Sequence, residues 1–129
     1  MSTAYSIMGL HFRYRLWIAE MNADITVLRI FDDYVIELTT KKNETAIVKG
    51  IENFQQHFIS LRNEIDELKH EMHLTKMTLA ARAREDDKTQ NKPSLKNIHT
   101  VLKKRYTAFR RTFKQVKKDF TLFESKWLQ

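Results

Sequence analysis

Core-type positions recur along this chain in steps of four and three, and that spacing predicts its architecture. Towards the C-terminus they fall at Leu95, His99, Leu102, Tyr106, Phe109, Phe113, Val116, Phe120, Phe123 and Trp127. The middle of the chain repeats the pattern at Ile47, Ile51, Phe54, Phe58, Leu61, Ile65, Leu68, Met72, Thr75 and Leu79. The first third follows it through Tyr14, Trp17, Met21, Leu28, Phe31, Val35 and Leu38, with Asp24 as a polar intruder. A mean step of 3.5 residues keeps an apolar seam turned towards a partner helix in a left-handed supercoil. The pattern therefore predicts an all-α fold of three long helices, over about 10–40, 44–87 and 95–128. Short connections between long helices favour antiparallel neighbours, hence an up-down-up, coiled-coil-like bundle.

The ends of these segments carry start and stop signals. Residues 1–9, polar and closed by Gly9, read as a flexible arm, so that 10–129 forms the single domain. Asn43 is placed to cap the second helix, and Ser94, after Pro93, to cap the third. The second seam fades after Leu79, so residues 80–92 are expected to project beyond the bundle or to fray.

Composition agrees with this reading and narrows it. Two glycines and one proline leave little punctuation for the many turns that a sheet protein of 129 residues needs. The absence of cysteine removes disulfides, thiolate metal sites and cysteine nucleophiles. No secretory leader is expected at Met1–Met8, and the apolar stretch from Leu16 to Leu38 is broken by six charged residues. The expectation is a cytoplasmic protein with no membrane span.

Two features are left over once the seams are assigned. The first helix carries an extra apolar stripe at Leu16, Ala23, Val27, Ile30 and Tyr34, widened by Ile18, Ile25 and Ile36. Either this helix is the most deeply buried of the three, or the stripe is a protein interface, most simply one that pairs two copies of the chain in a homodimer. The second feature is charge. Residues 94–129 hold ten basic and two acidic residues, whereas the rest of the chain is close to balanced, and the chain's net charge is +7. Lys103-Lys104, Arg110-Arg111 and Lys117-Lys118 are doublets seven residues apart, with Lys96 in phase before them. On a helix they form one ribbon. The second helix carries Arg62, Lys69 and Lys76 on one flank of its seam and Glu64 and Glu71 on the other. Repulsion from the basic flank is expected to turn the ribbon towards Asp32 and Asp33 of the first helix, or to solvent. Three readings of the ribbon follow: a solvated face, a dock for an acidic protein partner, or a contact for nucleic acid. The last has no recognised binding motif beside it, and its aromatic neighbours belong to the seam.

Catalytic chemistry finds little support. There is no phosphate-binding glycine loop and no zincin motif. Glu67-x-x-His70 matches half of a di-iron motif, but a single copy occurs, and the register turns Glu67, His70 and His73 outward. His99 occupies a seam position, where a hydrogen-bonded structural role is expected, and Asp24 is expected to reach solvent or a buried partner. Trp17 and Trp127 read as core plugs. No cofactor or metal is expected. The chain reads as a non-enzymatic scaffold or adaptor that binds protein partners, itself included; the alternative is a basic polyanion-binding protein.

Overall fold

The first helix begins where a side chain can satisfy its free N–H groups. The Ser6 hydroxyl accepts from the Gly9 N–H at 2.9 Å, with the Ser6 backbone still extended. A side chain at Gly9 would crowd that contact, since its Cβ would lie 2.8 Å from the Ser6 Oγ. The computed structural model describes residues 6–84 and 95–127, and in it α1 spans Ile7–Lys41, α2 Thr45–Arg84 and α3 Leu95–Trp127. Thus Ile7 to Gly9, read from sequence as part of the arm, are the first turn of α1. At the far end the Lys42 N–H closes α1 by donating to the Leu38 carbonyl at 2.8 Å. The Val48 N–H then bonds the Glu44 carbonyl, so α2 is capped from Glu44, one residue after Asn43. Ala80 to Arg82 are helical and half-buried, so α2 does not fray directly after Leu79. The expectations for residues 85–92, for the Ser94 cap, and for the side chains of Leu95 and Trp127 lie outside the described residues.

Cross-helix partners establish the topology. Tyr14–His99, Glu20–Tyr106 and Asp24–Arg110 are 85, 86 and 86 residues apart, a constant separation that makes α1 and α3 parallel. Between α1 and α2 the separation shrinks from 47 at Asn22–Lys69 to 30 at Asp32–Arg62, as antiparallel neighbours require. Between α2 and α3, Arg105 meets Glu64 and Glu67 while Phe123 packs on Gly50, so the α2 partner steps back along the chain as α3 advances. The bundle is up-down-up.

The seams form the core. Tyr14, Met21, Leu28 and Val35 of α1, Phe58, Ile65, Leu68, Met72 and Leu79 of α2, and Leu102, Phe109, Phe113 and Phe120 of α3 are buried. Trp17, Phe31, Phe54 and Phe123 are half-buried against them. Thr75 occupies its seam position without an unsatisfied hydroxyl, because its Oγ1 donates to the Glu71 carbonyl at 2.8 Å. The α1 and α2 backbones pack closely, as do those of α2 and α3, whereas α1 and α3 hardly approach one another. Long side chains bridge that gap. Trp17 stacks on Tyr106 at 4.6 Å, and Phe31 packs on Phe120 at 4.8 Å.

Candidate interaction face

The extra stripe on α1 divides into two rows. Leu16 and Ile30 are 53% and 59% exposed, and Ala23 between them is exposed too. Val27 and Tyr34 instead sit half-buried at the core edge, with the Tyr34 ring edge-on to Phe120 at 6.2 Å. Ile18 is buried and Ile25 half-buried, on the flank that ends in Asp32 and faces α2. The stripe is therefore narrower than the sequence suggests, but it is longer. Phe12, 59% exposed and one turn before Leu16, extends it towards the N-terminus. The i, i+4 spacing from Phe12 to Leu16 was the available signal for this extension.

The ribbon on α3 loses one member. Lys96, Lys103, Lys104, Arg111, Lys117 and Lys118 are exposed, as is Lys114 between the doublets. Arg110 is not part of an open basic face. Its guanidinium turns inward to pair with the Asp24 carboxylate, lies 3.4 Å from Glu20, and rests over the Phe113, Phe109 and Tyr106 rings at 5.4–5.9 Å. The Tyr106 hydroxyl donates to Glu20 alongside. The acidic groups that meet the ribbon are thus Glu20 and Asp24, not Asp32 and Asp33. Asp32 pairs with Arg62 of α2, and Asp33 is exposed.

Electrostatics show what this inclusion costs. Burial pushes the Asp24 carboxyl above its ordinary range, and the bond and charge of Arg110 pull it back only in part. Burial alone would lower Arg110, but the bond and charge of Asp24 more than offset it, and the guanidinium is held further towards its charged form. The asymmetry follows from exposure, 7% for the Asp24 side chain against 29% for Arg110, so the carboxylate bears most of the desolvation. Nearer the N-terminal end of α1, the Tyr14 hydroxyl and His99 Nδ1 are hydrogen-bonded at 3.0 Å. Burial raises Tyr14 to about 12. It lowers His99, with Arg13 and Lys103 adding to the effect.

The two flanks of α2 explain which way the ribbon turns. The basic flank faces α1, where Arg62 pairs with Asp32 and the Lys69 Nζ donates to Asn22 at 2.7 Å. The acidic flank faces α3, where Arg105 lies 3.4 Å from both Glu64 and Glu67. Arg105 stands on the α2 side of the α3 seam, and Arg110 on the α1 side. Lys96, Lys103 and Lys117, in phase with Arg110 at seven-residue steps, therefore lie on the face shared by α1 and α3, whereas Arg111 lines a groove with Asn53, Phe54 and His57 of α2. The exposed α1 stripe lies on that same face. Leu16 and Ala23 are the i−4 and i+3 neighbours of Glu20, which reaches Arg110.

Other candidate chemistry stays dispersed. Glu67, His70 and His73 are exposed, and Glu67 is engaged by Arg105. Among the described residues no group of three or more His, Asp or Glu could hold a metal ion. None of the described helices is long and apolar enough to cross a membrane. No protein-family model, curated protein or solved structure matches the chain.

Proposed function

We propose that this protein is a non-enzymatic scaffold or adaptor that acts by protein–protein contact through the outward side of α1. The observation that carries this reading is the exposed row Phe12, Leu16, Ala23 and Ile30, apolar side chains left uncovered on a helix whose seam is already buried. Self-association through this row needs the fewest components and is therefore tested first. Sedimentation equilibrium over a wide concentration range reads it, and Leu16→Ser with Ile30→Ser removes the row without touching the core. Loss of self-association, or of a partner recovered in a pull-down, in that variant supports the reading. A wild-type chain that stays monomeric and captures nothing that the variant fails to capture overturns it.

A second reading, polyanion binding by α3, draws on the exposure of Lys103, Lys104, Arg111, Lys117 and Lys118. Its mark is affinity for non-specific duplex DNA that falls steeply with salt.

A further inference from the structure

The apolar row and the basic ribbon belong to different helices, yet the parallel alignment of α1 and α3 sets them side by side on one face. Each repeats every seven residues: Leu16, Ala23 and Ile30 on α1, and Lys103, Arg110 and Lys117 on α3. Seven residues advance about 10 Å along a helix, so the two columns run in step. Arg110, tied to Glu20 and Asp24, joins them at the middle.

A second copy matches this face only in its apolar half. A two-fold axis running across the helices would lay stripe on stripe but ribbon on ribbon. A two-fold axis along the helices would lay the apolar stripe of each copy on the ribbon of the other. What does complement it is a helix with an apolar stripe along one edge and carboxylates along the next. Such a helix would bury its apolar edge on Leu16, Ala23 and Ile30 and bring its acidic edge to Lys103 and Lys117. The α1 and α3 backbones approach each other only weakly, and the Trp17–Tyr106 and Phe31–Phe120 ring pairs form the floor beneath this face. A seven-residue register suits a helix better than a lipid surface, which has no register.

We propose that the α1–α3 face is a docking site for an acidic amphipathic helix of a partner protein, which completes a four-helix bundle. The proposal rests on the protein-contact reading above and names the partner's chemistry. The test uses the full chain and a labelled synthetic peptide of about four heptads, with a leucine stripe flanked on one side by glutamates. Controls replace its glutamates with lysine or its leucines with serine. Fluorescence anisotropy should show binding of the acidic peptide that weakens with salt, and at least about tenfold weaker binding of either control. Leu16→Ser with Ile30→Ser, and separately Lys103→Glu with Lys117→Glu, should each weaken it by about tenfold or more. All four residues are exposed, and circular dichroism checks that each variant remains folded.

Equal binding of the acidic and lysine peptides overturns the proposal, as does indifference to either pair of substitutions. So does tighter binding of duplex DNA or phosphatidylserine vesicles that the lysine variant abolishes and the serine variant leaves intact, which would make the ribbon a polyanion site. Self-association lost in the serine variant, with no peptide binding, overturns this proposal alone and leaves the protein-contact reading standing.

Discussion

The two ends of the bundle bury different kinds of core. Around the α1–α2 turn, Phe31, Phe54, Phe58, Phe120 and Phe123 form a continuous hydrocarbon cluster with neighbouring rings 4.8–6.3 Å apart. From the start of α1 and α3 to their midpoints, seam positions hold Tyr14, His99, Tyr106 and Asp24, bonded to one another or to Glu20 and Arg110. Hydrocarbon contacts add burial with no directional demand, so the first end supplies adhesion. Buried polar groups carry a desolvation cost unless their partners are met in one geometry, so the second end selects which stagger of α1 on α3 is tolerated. Adhesion and register thus reside in different halves of one bundle. Substitutions at the two ends should fail in different ways.

The largest effect is expected in the hydrocarbon cluster. Phe58 is fully buried and touches Phe31, Phe54 and Phe120, so Phe58→Ala should cost about 3–5 kcal/mol in urea unfolding. A loss below about 1.5 kcal/mol would mean that this end collapses around the cavity, and the assignment of adhesion to it would fail.

At the polar end the expected loss is asymmetric. Arg110→Ala leaves the Asp24 carboxylate buried without its cation and should destabilise by about 3 kcal/mol. Asp24→Leu restores an apolar seam residue and leaves a guanidinium that is 29% exposed and still near Glu20, so its cost should stay below about 1 kcal/mol. Equal losses from the two substitutions would contradict the unequal desolvation inferred for the pair.

Most of the fold was legible from the heptad spacing, because steps of four and three over ten positions leave few ways to bury the seam. The Asp24–Arg110 pair was not legible. Lys103, Arg110 and Lys117 stand seven residues apart on the same flank of α3, and periodicity cannot say which of them meets Asp24; that depends on the stagger of α1 against α3. The union of the stripe and the ribbon was hidden for a related reason. A seam pattern does not say on which side of α1 the third helix lies. The charges on the α2 flanks carried that information, once Arg105 is recognised as the partner of Glu64 and Glu67. Spacing also could not divide the extra stripe between core edge and open surface, because the width of a core edge depends on the rings opposite, as with Phe120 beside Tyr34. Periodicity is also silent on Gly50, which stands within α2 against the Phe123 ring.

That glycine offers a finer test of the hydrocarbon end. A Cβ at position 50 would lie 2.5 Å from Phe123 Cε1 and 2.9 Å from its Cζ, so alanine there must displace the ring. Alanine is favoured over glycine within a helix by about 1 kcal/mol, and overpacking a core costs about 1–3 kcal/mol. Gly50→Ala should therefore lower stability by about 1 kcal/mol in the wild-type chain. In a Phe123→Ala background the clash is gone, and the same substitution should raise stability by about 1 kcal/mol. An unchanged sign across the two backgrounds would show that Phe123 does not need the glycine.

The smallest effect is a slope rather than an offset, and it belongs to the polar end. His99 is buried beside Tyr14, and its pKa in the fold is lowered by burial first and by Arg13 and Lys103 next. An unfolded chain takes up this proton near 6.5 while the folded one resists it, so folding is opposed as soon as the unfolded histidine protonates. The stability that His99 contributes is therefore complete above pH 6.5 and declines as pH falls through 6.5 towards the lowered value. His99→Gln keeps a hydrogen-bonding side chain but cannot titrate, and it should flatten the dependence of the urea midpoint on pH over that window. His73 is also lowered, by burial and then by Lys76, Lys69 and His70, but it is exposed on α2. Water remains available to its charged form, so His73→Gln should leave most of the slope in place. A slope that survives His99→Gln and vanishes with His73→Gln would move the pH sensitivity out of the core and remove the polar end's claim to it.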